Sequence, residues 1–204
     1  MDSRKMQDRL AFQEKLLLAC HEANRKYSYD IHTGFKIIKG VDEIGCVFEN
    51  ITSLYKCISV IWNHIYPQRM RFACILDVVD VEPSKKDISR LDGPAFHRAA
   101  QAIEDLRKKP SLLFYMDLGQ PVLDTAISGQ INLMLLLREH WSEIQLQQIL
   151  EYQRTNSQKE VAEKLDVTPQ AVSQSIKAAK WLEMEKIEEN MQLLLKAYPP
   201  LAAQ

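Results

Sequence analysis

Residues 158–180 read QKEVAEKLDVTPQAVSQSIKAAK, and this stretch decides the carboxy-terminal half of the fold. It has the pattern of two short helices joined by a tight turn. Ser157 stands where it can cap the first helix, with Glu160 three residues on, the spacing of a capping box. Val161, Ala162 and Leu165 share one face, and Ala162 is small enough for a second helix to cross closely. Asp166-Val167 supplies the turn, where aspartate tolerates left-handed backbone better than most residues. Thr168 caps the second helix, and Pro169 takes its first position, where a missing N–H costs nothing. Val172 and Ile176 then point to the core. The opposite face carries Gln170, Ser173, Gln174 and Lys177. Short polar side chains at the start of a second helix suit base edges in a major groove. The candidate DNA-binding set is Thr168, Gln170, Ser173 and Gln174, with Lys177 and Lys180 further along for phosphates. The competing reading is a helical hairpin that only packs.

The bulk composition narrows the setting. The chain has 204 residues, enough for one medium domain or two small ones. Net charge is −1, so no global basic field advertises nucleic acid. The segment 151–181 is net +1, so non-specific phosphate attraction is modest and dimerisation would help. Cys20, Cys46, Cys57 and Cys74 are far apart and form no CxxC, which reads as reduced thiols in a cytoplasmic protein without a zinc site. The apolar run Ile131–Leu137 is interrupted by Asn132 and is too short to span a bilayer. The amino end has alternating charges and does not read as a signal peptide.

Outward from the motif, the order of elements is mixed. Residues 4–26 read as a helix with Leu10, Leu17 and Cys20 on its apolar stripe. His32–Lys39 alternates as a strand, Gly40-Val41-Asp42-Glu43 turns, and Ile44–Phe48 returns as a hairpin. Ser53–Tyr66 has helical spacing at Leu54, Cys57, Ile58, Ile61 and Ile65, and Pro67 stops it. Arg71–Val81, RFACILDVVDV, is strongly apolar and predicts a central strand buried on both faces. Residues 82–91 are a polar loop. Asp92-Gly93-Pro94 opens a helix with Phe96, Ala99, Ile103 and Leu106 inside, and Leu112–Met116 is a strand. Beyond Leu123 everything reads as helix: 123–140, a break and cap at Trp141-Ser142, and 143–154 burying Ile144, Leu146, Ile149 and Leu150. Because no Gly or Pro intervenes before Pro199, the second motif helix is expected to run on to about Tyr198. Met184, Ile187, Met191, Leu194 and Tyr198 then form a heptad-like stripe. The domain boundary is expected at 118–122, giving 1–120 and 121–204.

Two stretches together resemble one bacterial family. The first is the hairpin with Asp42-Glu43 at its turn, with the helix start Leu91-Asp92-Gly93-Pro94-Ala95-Phe96-His97-Arg98-Ala99. The second is the unit from Trp141 through the last helix. In that order they resemble the SatD family. The resemblance implies an α+β amino-terminal domain similar to nucleotidyl cyclases and diguanylate cyclases, with a ferredoxin-like core. An all-α helix-turn-helix domain similar to the fourth region of sigma factors would follow it. Four departures stand against the family pattern. The usual first strand is absent, which leaves either a late start at Met1 or a trimmed copy. Val41 replaces the Gly of a Gly-Asp-Glu turn, the 71–81 strand lacks glycines, and Ala100 stands where an Arg is usual. A cyclase-type site needs carboxylates from two strands for Mg²⁺, and Val41 puts a Cβ where bare backbone would approach phosphate. The degenerate pattern therefore implies no catalytic residues, no metal and no cofactor.

Two function classes compete. One is a DNA-binding regulator, with double-stranded DNA as partner, a homodimer expected, and an amino-terminal domain that dimerises or senses an unidentified ligand. The other is a nucleotide-binding or inactive relative of nucleotidyl cyclases whose helical tail makes protein contacts. The polar face of the second motif helix favours the first. His97 and Arg98 could meet an anion at a helix start, though a polar helix face is the plainer reading. Trp62, Trp141 and Trp181 read as core residues.

Overall fold

The computed structural model describes residues 3–40, 42–79, 88 and 93–199. It is a mixed α+β protein. The first helix, α1 (Ser3–Lys26), packs on α2 (Leu54–Ile65) through Leu16, Ala19 and Ala23, all fully buried. Leu10 and Leu17, expected inside, are 53 % and 49 % exposed. The run Leu16-Leu17-Leu18 offers three helical phases, and the small Ala19 and Ala23 select the one that lets α2 come close. Glu22 ties the same pair together, bonding Lys26 at 2.5 Å and His64 of α2 at 2.7 Å.

The expected hairpin forms from β1 (Ile31–Lys39) and β2 (Glu43–Phe48), antiparallel with Ile37 opposite Ile44. Gly40 starts the turn at φ 63°, backbone that glycine adopts without strain. Asn24 of α1 holds the middle of β1, accepting from Phe35 N at 2.7 Å and donating to Phe35 O at 2.9 Å. Val41 lies outside the described residues.

The second sheet is also two-stranded, β3 (Phe72–Ile75) beside β4 (Phe114–Asp117), parallel and joined across α3 (Pro94–Arg107). This corrects the expected 71–81 strand. It is four residues long, each half-buried, at the edge of its sheet. Val81, most of the 82–91 loop and Asp92 lie outside the described residues. Among the described strands none joins the two sheets.

The carboxy-terminal helices are α4 (Pro121–Arg138), α5 (Glu143–Thr155), α6 (Gln158–Leu165), α7 (Pro169–Ala178) and α8 (Trp181–Lys196). Buried Asn132 of α4 satisfies the open edge of β4: it accepts from Leu113 N and Phe114 N at 2.7 and 2.9 Å and donates to Phe114 O at 2.8 Å. Asp124 does the same below, accepting from Leu118 N and Gln120 N, and takes the Tyr198 hydroxyl at 2.5 Å. One core cluster draws on Tyr55 and Trp62 of α2, Phe114 of β4, Ile131 of α4, Val161 of α6, Val172 of α7 and Met184 of α8. Side chains from both sides of Gly119 thus share one core. Ile144, expected within it, is 65 % exposed.

The long helix from α7 to Tyr198 is also corrected. It breaks at Lys180, a non-glycine residue at φ 50°. The indole N–H of Trp141 donates to Ala179 O at 3.0 Å, and Trp141 meets Trp181 edge to face at 6.1 Å. Burying Trp181 at 1 % exposure needs a turn that a straight helix does not provide. The 184–198 stripe is buried within this same chain at Met184, Met191, Leu195 and Tyr198, with Leu194 half-buried. It packs against α2 and α4, so it offers no face to a second copy.

Candidate nucleic-acid interface

The interface begins with caps. Ser142 and Gln145 form a reciprocal capping box at the start of α5, at 3.1 and 2.7 Å. The box expected at Ser157 is half made: Ser157 Oγ accepts from Glu160 N at 3.3 Å, while Ser157 N donates to Thr155 Oγ1 at 3.2 Å. Asp166 takes the left-handed turn at φ 51°, as the sequence requires. Thr168 Oγ1 then accepts from Ala171 N at 3.2 Å, with Pro169 at the first position of α7.

These caps fix the rotation of α7. Val172 is fully buried and Ile176 nearly so, packed with Val161 and Ala162 of α6. Thr168, Gln170, Gln174 and Lys177 are therefore exposed, and Ser173 is half-exposed. Lys180, expected on the same helix, lies beyond its end at the left-handed break, where it is exposed.

Electrostatics divide the basic residues. Glu151 binds Lys164 at 2.7 Å and Arg154 at 2.9 Å, and the Lys164 ammonium holds its carboxyl below the usual range. Lys159 lies 3.8 Å from Glu163. Lys177 and Lys180 have no ion-pair partner among the described residues. The free positive charge of this region sits on α7 and at its end, beside the glutamines.

The motif is anchored to the rest of the chain. Arg138, 1 % exposed, bonds Ser59 and Asn63 of α2 at 2.7 Å each and lies 5.2 Å from the Trp141 ring centroid. Tyr55 of α2 donates to Glu188 of α8 at 2.8 Å. Burial pushes the Glu188 carboxyl up, and the nearby Arg138 guanidinium opposes that shift. Tyr66, just past the end of α2, donates to Trp141 O, the same tryptophan that holds Ala179.

A second cluster was not visible in the sequence. Arg98 of α3 bridges Asp77, just after β3, and Asp117, at the end of β4, at 2.6 Å each. Its hydrogen bond holds the Asp77 carboxyl below the usual range. Arg98 also donates to Leu76 O at 3.2 Å, so it is engaged within the fold. Asp42 and Glu43 lie on the hairpin, where Glu43 pairs with Lys39 in register. Among the described residues no group of three or more His, Cys, Asp or Glu converges as a metal site. No described helix is long and apolar enough to cross a membrane.

The architecture is thus a mixed α+β chain in which α6 and α7, joined by a capped tight turn, leave a polar outer face on α7, with α8 following. The SatD family model matches residues 1–186, and the chain belongs to the SatD family. No curated protein and no solved structure matches it.

Proposed function

We propose that this protein binds double-stranded DNA as a transcriptional regulator, with α7 as the recognition helix. One observation carries the reading: α7 buries only Val172 and Ile176 and turns Gln170, Gln174 and Lys177 outward, with no exposed Leu, Phe or Met among them. A helix that docked on protein would present apolar side chains there. Gln can bond adenine in two places, and Lys177 and Lys180 supply phosphate contacts. The residues before Gly119 serve as a reduced cyclase-like unit that senses a ligand or assembles, and nucleotide turnover is not part of the proposal. Four free cysteines suit the cytoplasmic setting of such a regulator.

The test is selection of bound DNA from a random pool, then binding to the selected and a scrambled site across a salt series. Gln174→Ala costs about 1–3 kcal/mol on the selected site and relaxes preference at one base position. Lys177→Ala weakens both sites and lowers the salt slope by about one. Both side chains are exposed, so melting temperatures match the parent. Parent-like binding by both variants sinks the reading and leaves a packing hairpin.

A further inference from the structure

What α7 selects, if it is the recognition helix proposed above, is set by the side chains its outer face lacks as well as by those it carries. The stretch Val167–Leu182 contains no Arg, Asn, His, Asp or Glu. Arginine is the commonest forked donor to guanine, and Asp or Glu the usual acceptor from cytosine. Neither chemistry is available on this helix. The side chains there that can make two bonds to one base edge are Gln170 and Gln174. A primary amide carries an acceptor and a donor side by side. Adenine shows the complementary pair in the major groove, an N6–H donor beside the N7 acceptor. Guanine shows two acceptors there, so one half of the amide would face a lone pair. Cytosine shows a donor without a neighbouring acceptor, and thymine an acceptor beside a methyl group.

The geometry holds both amides ready. Gln170 and Gln174 are exposed, while Val172, Ile176 and Ala179 are buried on the opposite side of the helix. Neither amide has a hydrogen-bond partner among the described residues. Four residues apart, they share one face and are separated by about 6 Å along the helix axis. Bases stack about 3.4 Å apart, so a helix lying along the groove sets its two amides roughly two base steps apart. Both ends of α7 are fixed. Thr168 Oγ1 accepts from Ala171 N at 3.2 Å at the start, and the Trp141 indole donates to Ala179 O at 3.0 Å just past the end.

We infer that α7 selects duplex DNA carrying two A·T pairs separated by one base pair, with Gln170 bonding one adenine and Gln174 the other. In each contact the amide carbonyl accepts from adenine N6–H, and the amide N–H donates to adenine N7. Lys177 and Lys180 bind phosphate, which adds affinity without sequence information. The other cations of this region, Arg154, Lys159 and Lys164, stand beside Glu151 or Glu163. Base contacts therefore carry a large share of the binding, and discrimination between selected and scrambled DNA persists as salt rises.

Selection of duplexes from a random pool by the full chain gives the first test. The selected site contains two adenines two steps apart. The second test places 7-deazaadenine at each in turn, which replaces N7 by C–H and leaves pairing with thymine intact. Either replacement weakens binding by the parent about tenfold. At one position the loss disappears in Gln170→Ala, and at the other in Gln174→Ala, because the contact is already gone. Both side chains are exposed, so the variants melt like the parent. A selected site without that adenine pair overturns the inference, as do 7-deazaadenine losses that stay equally large in the glutamine variants. In either case a Lys177→Ala variant with a lowered salt slope still leaves α7 on DNA, and the recognition-helix reading stands. A pool that yields no preferred site, with Gln174→Ala and Lys177→Ala binding as the parent does, overturns both.

Discussion

Replacing Asn132 by Leu isolates the contribution of one side chain to the open edge of β4. Leucine branches at the same carbon and is somewhat bulkier, so the change removes hydrogen bonds without opening a cavity. Three backbone groups at the start of β4 lose their partner: Leu113 N, Phe114 N and Phe114 O, bonded to Asn132 at 2.7, 2.9 and 2.8 Å. Both strand residues are buried, at 0 % and 2 % exposure, so water cannot replace the lost partner. The Ser128 carbonyl, also bonded by Asn132, stays within the ladder of α4. An orphaned buried backbone group costs about 1–3 kcal/mol. Burying leucine in place of an amide offsets part of that, leaving a net loss of about 3–4 kcal/mol. For a chain of this size that lowers the melting temperature by about 10 °C. Urea unfolding followed by tryptophan fluorescence measures it, because Trp62, Trp141 and Trp181 are all buried. The midpoint falls with the slope unchanged. Asn132→Asp, which keeps both acceptor bonds, provides the comparison. A loss under about 1 kcal/mol for Asn132→Leu would refute the argument, since the strand edge would then have another partner.

Further outcomes follow from other sites. Lys180→Gly relieves left-handed strain and melts higher than Lys180→Ala by about 1 kcal/mol, though both remove the charge; equal melting would mean the φ of 50° carries no cost. The Lys26 and His64 bonds hold the Glu22 carboxyl down to about 2. A depressed carboxylate stabilises above its unfolded value and loses that contribution as pH falls. The difference between parent and Glu22→Gln is therefore on the order of 1 kcal/mol at neutral pH, after solvent screening, and disappears between about pH 4.5 and 2. A difference independent of pH in melts across that window would remove the ion-pair explanation. Incubation with ATP or GTP and Mg²⁺ or Mn²⁺ yields no cyclised product; product that vanishes in the Asp42→Ala, Glu43→Ala variant would establish the enzymatic alternative.

What could be read from the sequence was local. Ser142, Asp166, Thr168 and Pro169 each act within four residues, so their identity alone announces cap, turn and helix start. Rotation of α7 followed from Val172 and Ile176 for the same reason. Features set by distant partners were not legible. Lys180 bends because Trp141 bonds Ala179 and packs on Trp181, contacts made across some 40 positions that no glycine or proline marks. The phase of α1 was ambiguous because three leucines in a row fit any stripe. The 71–81 segment is apolar enough for a central strand, but apolar composition does not supply a neighbour on each side. Arg98 meets Asp77 and Asp117 only because a parallel crossover brings both strand ends to its helix.

The ties between α2 and α8 also bear on how the chain matures during synthesis. Tyr55 bonds Glu188, and Gln192 donates to Thr52 O, partners separated by 133 and 140 positions. At about 5–20 residues per second, a ribosome makes Gln192 roughly 7–30 s after Thr52. Throughout that interval the helices that α8 will cover stand without it, and the Tyr55 hydroxyl waits for its carboxylate. Helix α7 emerges before the segment that locks its far end. A nascent chain therefore completes the support beneath α7 only once α8 has been made and closes over α2 and α4.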